Sequence, residues 1–388
     1  MKKYKKIILI SIFILLILLI LIKLLCQKDT IFYIKADGIY SYNKKANKID
    51  DYQYGNIQVS DNKKIIVYNK LNNLYISKNN KKSKLIEKEV YSFNLINDRY
   101  LIYEKNQKLF FYNIDKDKSK KLEIINGYNI SEDKNNLLYF KNGTLNIFSL
   151  NKFKILKQIK EVSDYKCINE SCTKISYINN NRELKIGNND KTLDKNIIKI
   201  LDSNKNNILY VSMNNGKYNL KILIKGKHNI TLDTSKKSFD RGIIEKNKVH
   251  YLSAGVYKKS KINGKSKKTI TKDVDDIIDN YKNKMILLKG KDLYLNDNRI
   301  AEFIDTNSIR ILKDKIYYLK IKEDIPALYV YNGKKEKLIA KNVGKIIIEN
   351  NNLYYIGDYN ISKKFGNLYK IGSNKIIDKR VISIITNK

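Results

Sequence analysis

Asp61-Asn62-Lys63-Lys64-Ile65-Ile66-Val67-Tyr68 is a polar turn that runs straight into four apolar and aromatic residues. The same step recurs along the chain. Comparable runs are IFYI (31–34), YLIY (100–103), LLYF (137–140), ISYI (175–178) and ILYV (208–211). They continue as VHYL (249–252), MILL (285–288), IYYL (316–319) and LYYI (353–356), at a spacing of about 36 residues. A second run follows most of them, as in IYSY (39–42), LYIS (74–77), LFFY (109–112), LYVY (328–331) and LYKI (368–371). A third, such as KLIEK (84–88) or KLIAK (337–341), comes next, and VGKIIIE (343–349) reads as a fourth that closes its unit. Runs this short, rich in Ile, Val and Tyr and bounded by Asn, Asp, Gly and Lys, are strands. They lack the 3.6-residue period of a helix.

Four short strands per unit, repeated many times, predict an all-β fold: a β-propeller of four-stranded blades, seven to ten in number. Radial closure hides strand edges that would otherwise template aggregation. The strand at 381–386 is expected to complete a blade begun near Ile31 and so lock the ring. A stacked β-solenoid is the alternative, although its coils are usually shorter. The units resemble the TolB-like and low-density-lipoprotein-receptor-like propellers of secreted and membrane-anchored bacterial proteins. The resemblance rests on the Asn/Asp-x-Lys-x-Ile-x-Tyr opening of each unit and on the LYxY second strand, and it extends from about Ile31 to the C-terminus. The YWTD tetrad of the receptor version is missing, since the chain has no tryptophan. What the resemblance implies is a propeller used for binding, with no site residue carried over.

Ahead of the repeats, Lys2, Lys3, Lys5 and Lys6 precede an apolar run that begins at Ile7 and is broken only by Ser11 before Lys23. With Lys23 snorkelling to the interface, residues 7–26 are long enough to cross a bilayer, for which about 20 residues are needed. The lysines before the run place residues 1–6 in the cytoplasm, and residues 27–388 on the outer side of a plasma membrane. Two alternatives are a cleaved signal peptide and a lipidated Cys26. The stretch Ile22-Lys23-Leu24-Leu25-Cys26-Gln27 offers neither the small residue of a cleavage site nor one ahead of the cysteine.

The formal net charge is +38. Of 77 basic residues only six are arginine, and the lysines spread through every turn. Base reading and bidentate phosphate recognition favour arginine, so the charge does not argue for nucleic acid. Outside a cell it would draw the domain to polyanions such as anionic wall polymers or lipid headgroups. The abundance of Lys, Asn, Ile and Tyr is also what an AT-rich genome supplies at tolerant positions. Cys167 and Cys172 could close a small disulfide loop outside the cytoplasm.

Catalytic signals are missing. No G-x-S-x-G, phosphate-binding or dinucleotide-binding glycine loop occurs, so no catalytic, metal or cofactor site is assigned. His250 lies inside a predicted strand as a structural histidine, and His228 reads as a turn residue. Asp273, Asp275, Asp276 and Asp279, like Asp115 and Asp117, have carboxylates at close spacing but no glycine to shape a calcium loop; they read as solvated turn charges. The 30 tyrosines are expected chiefly between blades, with the exposed ones free to anchor a partner. The resulting expectation is a membrane-anchored, non-enzymatic binding domain for an envelope protein. The alternatives are a binder of anionic wall polymers, or a hydrolase or lyase with its site in the central channel.

Overall fold

The structure is a computed structural model that describes residues 30–51, 55–122, 127–187, 191–322, 325–349, 351–373 and 375–385. The apolar segment 7–26 lies outside these residues; among those described, no helix is long and apolar enough to cross a membrane. Apart from one 3-10 turn at Thr306–Ser308, the regular structure of the described residues is all antiparallel sheet. Eight separate sheets of three or four strands, plus one of seven strands that is two units joined, give ten blades. Nine blades are read directly along the chain, from Ile57–Val59 onward. The remaining one, blade 1 here, takes Ile31–Lys35, Gly38–Asn43 and Lys45–Asp50 from the start of the chain and its innermost strand from the end.

That end strand, Ile376–Ile385, serves two blades. Its first part pairs with Phe365–Lys370 as the outer strand of blade 10, and residues 381–385 pair with Ile31–Lys35. Arg380 sits between the two parts at φ +55°, the place that Glu161 (+58°) and Asn342 (+53°) take in other blade-to-blade connections. The expected locking strand is therefore present. One expectation is corrected: Lys345–Glu349 does not close its own unit but opens the next, pairing with Asn352–Asn360. The reason is chain economy. Only two residues separate those two strands in the sequence, whereas the outer strand before them must be left by a crossing to the ring centre.

The strongest sequence runs are the second strands. Each is covered on both faces by a neighbouring blade, so its apolar residues run continuously instead of alternating. Ile66 and Tyr68 pack toward blade 1 with Phe32 and Ile39, and Ile65 and Val67 pack toward blade 3 with Leu101 and Tyr103. Apolar clusters fill all ten interfaces between consecutive blades, including the one between blades 10 and 1 that holds Tyr33, Tyr354, Val381 and Ile384. The ring is thus closed, single and large, and a solenoid with free ends is excluded.

A polar staple recurs in these interfaces. The hydroxyl of Tyr33 donates to Asp378 at 2.6 Å, and that carboxylate also pairs with Lys35 at 3.2 Å. Tyr68 with Lys70 holds Asp50 in the same way, and Tyr210 with Lys221 holds Asp194. Tyr251 with Lys258 and Lys267 holds Asp233. In each case the acid lies at the outer edge of the preceding blade, Asp378, Asp50 and Asp233 on its outer strand and Asp194 at an isolated bridge to Leu184. Tyr318 and Lys320 make the variant within one blade, on Glu336. Burial, and then the bond to the carboxylate, push the hydroxyls of Tyr33, Tyr68, Tyr210 and Tyr318 far above the usual phenol range.

The antiparallel order also sorts the turns. First-to-second and third-to-fourth turns share one face, and the chain enters blade 1 there at Thr30. We call this the terminal face. Second-to-third turns and blade-to-blade connections lie on the opposite, distal face.

Two outcomes follow. Ile384→Ala, at a site 2% exposed in the seam core, is expected to cost about 2–5 kcal/mol, whereas Ile382→Ala on the same strand, 38% exposed, stays near neutral. Equal melting temperatures for both variants would contradict the seam. The raised tyrosine values mean that stability is full below about pH 10 and falls as pH rises, because the unfolded chain sheds protons that the native state keeps. Tyrosinate absorbance should therefore lag behind that of the denatured chain and appear only as the ring unfolds. Full titration near pH 10 with the fold intact would be inconsistent with the staples.

Candidate functional site

The inner strands of neighbouring blades meet without pairing backbone to backbone, so their inward edges hold polar groups that need partners. Side chains supply several. Gln58 donates to the Phe93 carbonyl at 3.1 Å and accepts from the Leu95 amide at 2.6 Å. Asp164 accepts from the Ile200 amide at 3.3 Å, Asp202 from the Ile244 amide at 2.7 Å, and Ser203 donates to the Cys167 carbonyl at 2.8 Å. Lys345 donates to Ser383 at 3.1 Å across the seam. Burial pushes the Asp202 carboxyl up, partly opposed by its bonds from the Ile244 and Ser203 amides.

A cavity of about 1280 Å³ opens on the terminal face, where the inner strands of blades 4, 5 and 6 run into their turns. Glu132, Asp164, Glu170 and Asp202 lie on its wall with Lys166 and Lys205. Asp164 and Asp202 are each already engaged with a neighbouring blade's backbone. Cys167 and Cys172 are joined by a disulfide with Cα atoms 4.7 Å apart, and they shape the loop that forms one side of this cavity. Nothing in the sequence marked blades 4–6 apart from this cysteine pair. The cavity arises from three consecutive inner strands and their turns, a juxtaposition that no local motif encodes.

The remaining histidines and close-spaced carboxylates are dispersed over the ring. His250 is buried within blade 7, its Nδ1 2.7 Å from the Tyr257 hydroxyl and its Nε2 3.2 Å from Glu245. Burial holds its imidazole below the usual histidine range, with Glu245 opposing. His228 opens the strand His228–Ser235, so the turn assignment is corrected by one step: the turn ends just before it. Asp275 accepts from the Gly290 amide, Asp276 faces Arg241 at 3.5 Å, and Asp279 accepts from the Asn280 amide. Asp117 receives Tyr112 and pairs with Lys84, while Asp115 lies 3.8 Å from Arg99. Among the described residues no group of three or more His, Cys, Asp or Glu is arranged to hold a metal ion.

No protein-family model matches the chain, and no curated protein matches it in sequence. Solved structures do. The chain is similar to the crystal structure of a eukaryotic initiation factor, at 9% identity over 92% of this chain and 98% of that one, with a TM-score of 0.53. It is also similar to the β-propeller domain of the Trilobed protease from Pyrococcus furiosus, at 13% identity over 85% and 99% of the two chains, with a TM-score of 0.39. A third likeness is to Porphyromonas gingivalis dipeptidyl peptidase 4, at 14% identity and TM-score 0.40; it covers 92% of this chain but 58% of the peptidase. At these identities the likeness concerns the fold alone.

Replacing both cysteines, as Cys167→Ser with Cys172→Ser, removes a loop constraint of roughly 2 kcal/mol. Amides of residues 168–174 should then exchange about 30-fold faster, with the strand Asn207–Asn214 unaffected. Unchanged exchange in the loop would mean that its turn hydrogen bonds hold it without the disulfide.

Proposed function

We propose that this chain is a single-pass plasma-membrane protein, with its N-terminus in the cytoplasm, whose propeller is a non-enzymatic binding platform for an envelope protein. One observation carries the reading: where the exposed apolar turn residues fall. Leu71 (70% exposed), Tyr91 (66%), Phe303 (53%) and Ile361 (55%) stand out in turns and connections of the distal face. Their backbones bring them into patches. Val90, next to Tyr91, donates its amide to the carbonyl of Asn72, beside Leu71, at 2.8 Å. Ile321, also exposed, donates its amide to Phe303 at 3.0 Å, and Ile361 lies in the following blade.

Exposed apolar groups set among polar ones mark protein contact surfaces, and aromatic anchors supply much of the binding energy there. The polar backbone of the surrounding turns forms the rim. Location rests on the sequence: the basic residues 1–6 and the apolar run 7–26 support a membrane anchor with the propeller outside.

Photo-crosslinking amino acids placed at Tyr91 and Phe303 in living cells should capture a reproducible envelope protein. The same group at Lys44, on the terminal face, should not. Tyr91→Asp combined with Phe303→Asp should reduce capture from a third distal position, Ile361, by at least about tenfold. Equal capture from both faces, or none from the distal one, would count against this reading.

A further inference from the structure

The two faces differ in charge as well as in apolar exposure. Among the described residues, the terminal-face turns hold 22 Lys and Arg against nine Asp and Glu, an excess of 13. The distal turns and connections hold ten against nine, an excess of one. Strand residues are left out of both counts. The basic excess is spread around the ring: exposed Lys44, Lys82, Lys152, Lys227, Lys265 and Lys335 come from six different blades. Several of the acids on this face are matched locally, Asp61 by Lys134 at 2.6 Å, Asp314 by Lys282 at 3.5 Å, and Asp117 by Lys84. Of the turn lysines on this face, all but Lys63 and Lys134 are exposed to solvent.

The chain enters the ring on this same face. Three residues, Gln27, Lys28 and Asp29, separate the apolar run from Thr30. Fully extended, they span at most about 14 Å from Cys26 to Thr30. A ring tethered this closely must present its terminal face to the bilayer surface. Basic groups within a Debye length of anionic headgroups are attracted to them, and many in one plane act together.

We propose that the terminal face docks flat on anionic phospholipid headgroups, so that the tether and the lysine-rich turns together fix the ring's orientation and aim the distal face away from the membrane. This rests on the anchor reading above and adds to it the partner of the basic face. A wall polymer is the less apt occupant, because the short tether gives lipid phosphates the nearest approach to these turns.

The test uses the full chain reconstituted in vesicles of phosphatidylcholine alone or mixed with phosphatidylglycerol. A membrane-impermeant amine-acylating reagent reads each lysine by mass spectrometry. With phosphatidylglycerol, Lys44, Lys227, Lys265 and Lys335 should react at least about threefold more slowly, and about 0.5 M salt should remove the difference. Distal Lys291, Lys341 and Lys363 should react alike in both vesicles. Equal rates for the terminal-face lysines overturn the proposal, as does uniform slowing of both faces. Protection by added purified wall polymer, but not by phosphatidylglycerol, overturns it in favour of the polymer. An alkaline wash separates the premise from the inference. A chain retained but unprotected refutes docking alone, one stripped yet protected refutes the anchor alone, and one stripped and unprotected refutes both.

Discussion

Everything in this structure depends on how the ring is closed. Ten blades packed face to face need a partner for the last, and no hairpin can supply it. The chain solves this by giving blade 1 its inner strand from residues 381–385, so that the first and last strands of the fold become hydrogen-bonded neighbours. The seam is reinforced from a second direction. Lys63, in the first turn of blade 2, reaches past blade 1 to Glu349 at the end of blade 10's inner strand, 2.7 Å away and largely shielded from water. Such a pair is costly to desolvate and strongly destabilising to break on one side only, which makes it a better guardian of geometry than of net stability.

Closure explains which parts of the fold could be read from the sequence. The second strands were legible because two blades bury them, and double burial writes a continuous apolar run. Residues such as Ile65, Ile66, Val67 and Tyr68 therefore stand out without any alternation to decode. Outer strands were legible only where they keep apolar residues, as at 84–88 and 337–341. Lys118–Lys121 is a strand with every residue exposed, held by backbone pairing to Lys108–Asn113 and by nothing apolar of its own. The phase of the repeat was equally hidden. A four-residue run that follows an outer strand looks like its continuation until pairing reveals that it opens the next blade. The staples show the same limit at the level of single residues. Asp50 precedes Tyr68 by 18 positions and Asp233 precedes Tyr251 by 18, a regularity that acquires meaning only when the two ends are known to lie on facing blades. The cavity at blades 4–6 is less legible still, since Asp164 and Asp202 carry no motif and owe their position to the ring.

The lysines, which as a bulk composition admit a genomic explanation, separate by place. Lys35, Lys70, Lys221, Lys258 and Lys320 complete staples, where each compensates a carboxylate held between strands. Lys118, Lys120, Lys121, Lys154 and Lys160 stand on outer strands, whose free edges would otherwise invite pairing with a second chain; charge on such an edge opposes that. These two groups have a purpose within the fold and need no ligand. The lysines of the terminal-face turns are a third group. Apart from Lys267, which joins the staple on Asp233, and Lys63, which pairs with Glu349, they complete no staple and guard no edge, and the turns on the distal face, with as many acids, have no comparable excess. Drift toward lysine at tolerant positions would enrich both faces alike. The asymmetry therefore calls for a cause that distinguishes the faces, and the entry of the chain at Thr30 on the basic one is such a difference.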